Sequence, residues 1–596
     1  MSQPFDRLRK YGWVDLLLVA GVVGLVFGLI RLASEAGAAP RPPSSVIDLD
    51  SPWALPRYTF FSLARGLIAY ALSLLFTLAY GYWAAKDAVA RRVLIPLLDV
   101  LQSIPVLGFM PGLLLVFTSA FPGSNIGLEL AAIISIFTGQ AWNMTFSFYQ
   151  SVRTVPQDMH EAATVYRFGW WQRFRLVEVP YATMGLVWNS MMSMAGGWFF
   201  LVAIEGLEIG GRPYWSPGIG SYIKAASASD PMNWTALLSG IGAMVLMIVA
   251  LDQLLWRPVV AWAQKFRVEE GGAQEKTTSW FLDWLRRSGL LAGFGAWLAK
   301  LRSKRESEAT ASQLPVEKLV DPTRPASWTN WLSTALFVGL VLLLGWGAYQ
   351  LVLLMMRVPP GKWGMIGTSA GLTLLRVLTC VVLGTLWALP AGLAIGLNPR
   401  LARILQPVVQ VMASFPAPLL FPLVIYGLNL VGMHLNWGSI VLMLLGTQWY
   451  ILFNVIAGAM AIPADLKEAA RSYRITGWQR FKSLYFPAVF PFLVTGWVTA
   501  TGGAWNASIV SEYIDFEKPA RTAHGLGAVI MKAAAGETDD ATESSPAATD
   551  PAEDREADYP LLAAAVLVMS AVVVLFNRIV WHWCYRLADR KFSVQR

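Results

Sequence analysis

Pro156-Gln157-Asp158-Met159-His160-Glu161-Ala162-Ala163-Thr164-Val165-Tyr166-Arg167 returns 307 residues later as Pro463-Ala464-Asp465-Leu466-Lys467-Glu468-Ala469-Ala470-Arg471-Ser472-Tyr473-Arg474. Working outward at that offset, Trp142 meets Trp449, Trp198 meets Trp505, Glu205 meets Glu512, and Gly218 and Gly220 meet Gly525 and Gly527. Upstream the offset becomes 311: Leu63–Leu67 aligns with Leu374–Leu378, Arg65 with Arg376, and Pro96 and Pro105 with Pro407 and Pro416. Agreement at Trp, Pro and Gly over so long a stretch marks a duplicated unit.

The solvent of each unit follows from composition. Of 596 residues, 55% are hydrophobic and 14% charged, too few charges to coat a soluble body of this size. Apolar runs long enough to cross a bilayer fall near 13–33, 59–84, 94–119, 128–150, 181–205 and 235–257, then near 331–356, 370–397, 403–430, 437–460, 488–511 and 560–583. The expectation is an all-α membrane protein of about 12 spans, six per copy. An even number per copy makes the repeats parallel, related by an axis along the membrane normal. Ala36-Gly37-Ala38 resembles a signal-cleavage site, but the second set opens with an equivalent span that is no signal, so the first is expected to be retained.

The net charge of +9 sits in short loops beside apolar runs: Arg7, Arg9 and Lys10; Lys86, Arg91 and Arg92; Arg173 and Arg175; and Arg286 through Arg305. That is the positive-inside pattern, and it argues against nucleic acid as a partner. It predicts cytoplasmic termini and three regions: a first unit 1–264, a cytoplasmic linker 265–328, and a second unit 329–596. Within the linker, Trp280 to Arg287 reads as an interfacial amphipathic helix, and Glu306 to Ala326 as a flexible polar tether. Residues 536–558 hold nine carboxylates and one arginine that the first unit lacks, read as a solvated external loop. Two cysteines, Cys380 and Cys584, and four scattered histidines (His160, His434, His524, His582) offer no metal site or disulfide framework.

In each quoted stretch Pro opens a helix, Asp stands three residues before Glu, and paired alanines leave a shallow surface. Both continue as Trp-Gln-Arg-Phe (171–174 and 478–481) and close at Pro180 and Pro487. These features resemble the EAA loop of ATP-binding-cassette (ABC) importer permeases. The resemblance implies a type I importer-like transmembrane fold, with loops near 156–180 and 463–487 docking on an ATPase. Glu161, Ala162, Ala163 and Arg167, with Glu468, Ala469, Ala470 and Arg474, would carry that coupling. Arg167 and Arg474 stand where the family has glycine.

The chain has no phosphate-cradling glycine loop; Gly361-Lys362-Trp363 lacks the flanking residues. ATP and Mg would therefore act through two partner ATPase copies on the cytoplasmic side. This chain is expected to be no enzyme and to hold no cofactor or metal. The Trp-Gln-Arg-Phe extension and the Gly-x-Gly after Glu205 and Glu512 resemble the nitrate/sulfonate/taurine branch. That implies a small anion, nitrate-, sulfonate-, taurine- or bicarbonate-like, brought by an external solute-binding protein to a bacterial inner membrane. An ion-gradient-driven transporter is the alternative, but it gives no reason for matched loops.

Candidate path residues follow from polarity inside apolar runs. Arg65 and Arg376 sit two turns into the second span, either facing an anion path, or snorkelling to the outer interface or pairing with a nearby carboxylate. Glu205 and Glu512, after Trp198 and Trp505, either gate the outer mouth, pair with the arginines across the unit, or bond the following glycine-rich turn as interfacial carboxylates. Gln102, Ser103 and Asn143, with Ser414 and Gln448, either line a cavity or bond between helices.

Overall fold

The computed structural model describes residues 12–39, 47–51, 53–209, 212–229, 231–266, 279–291, 293, 297, 327–514, 520–537 and 557–591. Arg7, Arg9 and Lys10, the tether Glu306–Ala326 and most of the acidic stretch 536–558 lie outside them.

In the first copy, α1 (Trp13–Gly37) and α2 (Ala54–Lys86) precede a broken pair, α3 (Ala88–Ser103) and α4 (Val106–Ala120). Next come α5 (Ile126–Arg153), the short α6 (Gln157–Val165) and α7 (Trp170–Arg173), which passes through a π-turn (Phe174–Glu178) into α8 (Val179–Glu205). A two-residue hairpin, β1 (Glu208–Ile209) with β2 (Arg212–Pro213), leads to α9 (Ile219–Ala228). Then α10 (Trp234–Leu251) passes through a second π-turn (Asp252–Trp256) into α11 (Arg257–Ala263). Within the stretch Trp280 to Arg287, α12 (Trp280–Leu285) is helical, with Trp284 against Trp13 at 5.9 Å.

The second copy repeats the order. Its elements are α13 (Ser327–Met355), α14 (Pro360–Gly396), the broken pair α15 (Pro399–Ser414) and α16 (Phe421–Leu430), α17 (Leu435–Met460), α18 (Ala464–Ser472), α19 (Gly477–Arg480) and α20 (Phe486–Glu512). The hairpin is β3 (Tyr513–Ile514) with β4 (Arg521–Thr522), followed by α21 (Leu526–Ala535), α22 (Tyr559–Phe576) and α23 (His582–Lys591). The π-turns recur as Phe481–Tyr485 and Asn577–Trp581.

Among the described residues nine helices are long and apolar enough to cross a membrane, and the broken pairs bring the number to 11. The pairs correct the continuous spans expected at 94–119 and 403–430: α3 and α4 meet at 91°, and α15 and α16 at 85°. Each break falls where Pro105 or Pro416 removes a backbone donor and pushes the preceding residue out of helix. Pro96 and Pro407, by contrast, sit inside α3 and α15 without ending them. With Glu129, Gln140, Asn143 and Gln150, α5 falls outside those nine, yet it packs between α2 and α8, where Glu129 and Gln140 are buried against protein.

Each half is built on a three-helix layer, α2–α5–α8 or α14–α17–α20. Lipid tails are as apolar as leucine, so such helices hold together by close fit and hydrogen bonds. Gly66 shows the fit: a Cβ there would stand 2.8 Å from the Trp198 ring. The two halves share one core, in which Leu107, Met110 and Met194 of the first meet Trp505, Ile509 and Leu526 of the second. Leu107 N donates to Asn506 Oδ1 at 3.3 Å, and Gln410 Nε2 to Asp252 Oδ1 at 3.3 Å.

The opening helices break the symmetry. α1 lies on α2 and α5 of its own half, with Gly28 closely under the Phe60 ring and Asn125 N donating to Ala38 O. α13 instead packs on α22 and reaches α3 of the other half. The two opening spans match in sequence order but not in placement.

Candidate functional site

Two regions gather the residues singled out by sequence: the short helices α6 and α18 at one end of the bundle, and buried charge clusters toward the other.

α6 and α18 are each capped in the same manner. Arg167 N donates to Thr164 O (3.0 Å) and Phe168 N to Ala163 O (2.9 Å); Arg474 N donates to Arg471 O and Ile475 N to Ala470 O, both 2.9 Å. This closure needs a left-handed residue, and Arg167 and Arg474 supply it at φ 55° and 53°. The glycine-like turn is thus made by arginine, at a strain of roughly 1–2 kcal/mol each. Ala163 and Ala470 turn inward, 2% and 6% exposed, whereas Glu161, Ala162, Arg167, Glu468, Ala469 and Arg474 face outward. Beside them Tyr166 and Tyr473 are 74% and 81% exposed, and Trp171 and Trp478 are also open. So much aromatic surface repeated next to two matched helices has the texture of a docking face.

Among the described residues the first loop carries anchors that the second does not repeat. Lys86 pairs with the buried Glu178, and Arg173 donates to Phe168 O and Thr164 Oγ1, both 3.1 Å. Partial burial, reinforced by the positive charges of Lys86 and Arg173, lowers the pKa of His160, with Glu178 opposing. At 307 and 311 residues on stand Lys467, Tyr485 and Leu397 in place of His160, Glu178 and Lys86.

Toward the other end Arg65, fully buried, makes a charge-assisted fork to Glu129 (2.5 and 2.6 Å) and a bond to Glu205 (2.7 Å). Glu205 also accepts from Ser62 Oγ (2.7 Å) and Gly220 N (2.9 Å). Arg376 repeats this with Glu512 (2.8 Å), which accepts from Thr373 Oγ1 (2.9 Å) and Gly527 N (2.8 Å). Arg376 also donates to the His524 carbonyl (2.7 Å) and to Asn436, through the side-chain oxygen (3.0 Å) and the backbone carbonyl (3.2 Å). The glycines leave room for the carboxylates: a Cβ on Gly218 or Gly525 would come within 2.2 Å of Glu205 or Glu512. In this conformation Arg65, Arg376, Glu205 and Glu512 face protein partners rather than a lumen. They clamp the hairpin turn to the second and fifth helices of each half.

The remaining candidates are scattered. Gln102 bonds Asp99 on its own helix (3.3 Å) and Ser103 the Asp99 carbonyl (2.8 Å). Asn143 is exposed and reaches Ser193 at 3.5 Å. Ser414 and Trp198 border one small cavity of about 30 Å³ between the halves. Trp505 is buried with its indole N–H unpaired, and Gln448 is half-buried. Sequence reasoning missed Ser62, Glu129, Thr373 and Asn436. The repeat contained the signal, since Ser62 and Thr373 stand three residues before the arginines, and Glu129 and Asn436 obey the 307 offset.

Residues 77–255 and 381–593 both match the family described as the binding-protein-dependent transport system inner membrane component. Among relatives, the glycine betaine/proline betaine transport system permease protein ProW of Escherichia coli is 29% identical over 26% of this chain and 41% of its own length. The nitrate import permease protein NrtB of Synechococcus elongatus is 29% identical over 25% of this chain and 54% of its own. The bicarbonate transport system permease protein CmpB of the same species is 28% identical over 25% and 51%. The chain spans about half the length of the curated relatives it matches. Two family matches, covering most of both halves, coincide with the two structural repeats: this chain belongs to the binding-protein-dependent transport system inner membrane components, with the family unit present twice.

Proposed function

We propose that the chain is the complete pair of membrane-spanning halves of an ABC importer, α6 and α18 being the coupling helices on which two ATPase subunits dock. The observation that carries this reading is the pair of matched short helices at one end of the bundle, each with an outward glutamate, a packed alanine and an open tyrosine. That end is cytoplasmic, and the hairpin end faces an external solute-binding protein. ATP binding would close the ATPase dimer, draw α6 and α18 together and tilt the halves between inward- and outward-open states. Nucleotide must bind the two states with different affinity for this to work.

The solute is a small anion. Nitrate and bicarbonate permeases among the relatives support this class, while glycine betaine permeases among them make it a matter for experiment.

The test is a pull-down of the tagged chain from native membranes, followed by an Mg-ATPase assay of the eluate. A co-purifying ATPase that is lost in the double variant Glu161→Arg, Glu468→Arg supports the reading. A chain that emerges alone in mild detergent, with uptake abolished by an uncoupler rather than by ATP depletion, replaces it with a gradient-driven carrier.

A further inference from the structure

Alongside α22 the two halves part company. There α3 and α4 of the first half, with α13 and α22 of the second, enclose a crevice of about 1100 Å³, more than the roughly 300–1,000 Å³ of a small-ligand pocket. It runs from Tyr559, at the hairpin end, to Arg578. Arg578 lies at the end where α18 sits, since Trp581 beyond it clusters with Phe490 near the start of α20. At 1.5 Å per residue the two mark about 28 Å of helix, close to the ~30 Å of hydrocarbon in a bilayer. The wall between them is apolar. Among the described residues only Ser570 is polar there, and its hydroxyl donates to Val566 O at 2.7 Å. Val116 and Leu575, which border the crevice, are 59% and 61% exposed, so it opens sideways onto lipid.

The counterpart positions are built differently. At the 311 offset Leu419 and Leu423 replace Gly108 and Gly112, which line the crevice on α4. The π-turn of α10 stands 325 residues before that of α22, and at this spacing Trp234 replaces Tyr559 and Gln253 replaces Arg578. Trp234 meets Tyr426 edge-on at 5.2 Å, and Gln253 Oε1 accepts from Trp280 Nε1 of α12 at 3.3 Å. α13, which walls the crevice with Leu351 and Leu354, has its counterpart α1 on α2 and α5 instead. One side of the molecule thus meets this position with its own side chains, and the other leaves it open with an arginine at its end. Arg578 is exposed, and among the described residues neither a hydrogen bond nor an ion pair holds its guanidinium. Asp99 of α3 lies within its electrostatic reach and accepts from Gln102 at 3.3 Å.

We propose that this crevice binds an anionic phospholipid, its acyl chains lying along α4 and α22 and its phosphate on Arg578. The apolar wall suits chains and offers a soluble solute no polar contact along its length. The cation stands at the depth where headgroups lie, and a basic site between spans selects anionic ones. The inference goes beyond the permease reading: it requires the membrane placement of the fold, and a gradient-driven carrier would keep it.

The test titrates the full chain, purified in mild detergent, with dioleoyl phosphatidylglycerol or dioleoyl phosphatidylcholine and counts bound lipid by native mass spectrometry. The two lipids share their chains and differ in net charge. Phosphatidylglycerol should bind about fivefold more tightly, the weight of one arginine near an anionic headgroup. Arg578→Gln, which installs the counterpart's own residue, should bring it to the level of phosphatidylcholine, and Arg578→Lys should keep the preference. Arg586→Gln, which removes an exposed arginine of α23 that does not line the crevice, should also keep it. Gly112→Leu and Ala571→Phe each fill the crevice, and binding of both lipids should fall on the order of tenfold with the melting temperature unchanged. A preference that survives Arg578→Gln, or is lost equally in Arg586→Gln, overturns the proposal. So does displacement of phosphatidylglycerol by an equal concentration of glycerol 3-phosphate, which would make the site one for a free phosphate. If the two filling variants leave lipid binding intact, or abolish a dimer of the chain instead, the crevice is not a lipid site.

Discussion

Arg65 and Arg376 carry the same task with different partners, and the difference sets what substitution should do. Arg376 faces one carboxylate, so Glu512→Ala leaves a buried guanidinium held by neutral groups; a loss of about 3–5 kcal/mol is expected. Arg65 faces two, and Glu129→Asn merely installs what the second half already has at Asn436. Arg65 keeps Glu205, and two crowded carboxylates become one, so the expected loss is smaller, about 1–2 kcal/mol. Thermal unfolding of the purified chain in detergent, followed by tryptophan fluorescence, checks both; equal losses would refute the distinction. The arginines were legible in sequence because a charge deep in an apolar run demands an explanation. Glu129 was not, because it lies near the start of its helix, where a carboxylate passes for an interfacial group. Arg167 and Arg474 give a second test. Glycine at either site relieves about 1–2 kcal/mol of left-handed strain but adds backbone entropy of roughly 0.5–1 kcal/mol. A slight gain in stability is expected from Arg167→Gly, Arg474→Gly. If the exposed guanidinium groups also contact an ATPase, co-purification should weaken in the same variant while the chain itself melts no lower.

Between residue and fold, the elements divide into those that hydropathy reveals and those that it hides. The short helices α6 and α18 were readable from Pro, Asp and the alanine pair, while the 91° and 85° breaks were not. No charge interrupts the run through Ser103-Ile104-Pro105, and Pro96 nearby stays helical, so neither hydropathy nor proline alone locates a bend. What distinguishes Pro105 is that the chain turns there onto the opposite half, a tertiary fact. The loops also differ in a way that pH should expose. The fold lowers the pKa of His160, so the packed α6 favours neutral imidazole. That preference contributes fully above the ordinary histidine value of 6.5 and is lost as the pH falls below it toward the lowered value. Limited proteolysis should therefore cut near α6 faster at pH 5 than at pH 8, and His160→Gln should flatten the difference. α18 has Lys467 at the equivalent place, and its cleavage should show no such step.

For the molecule as a whole, the halves are joined twice, by the covalent link and by a shared core. Leu107, Met110 and Met194 pack with Trp505, Ile509 and Leu526, and the Asn506 and Gln410 bonds cross the boundary. α13 adds a further clasp by lying along α3 of the other half, and Trp234 meets Tyr426 edge-on at 5.2 Å. If this interface holds the halves in register, the peptide link sets their stoichiometry rather than their geometry. Cutting the gene between residues 298 and 326 and co-expressing the two pieces should then give a complex that purifies through a tag on either piece. Its Mg-ATPase, measured with the partner subunits present, should stay within about twofold of the intact chain, a change of under 0.5 kcal/mol. Weakening the shared core should separate the pieces where it leaves the fused chain assembled. Leu107→Ala with Ile509→Ala removes one shared-core side chain from each half at a cost of about 2–5 kcal/mol each, enough to lower recovery of the split pair by more than an order of magnitude. Pieces that never associate, although each inserts in the membrane, would show instead that the link itself holds the halves together.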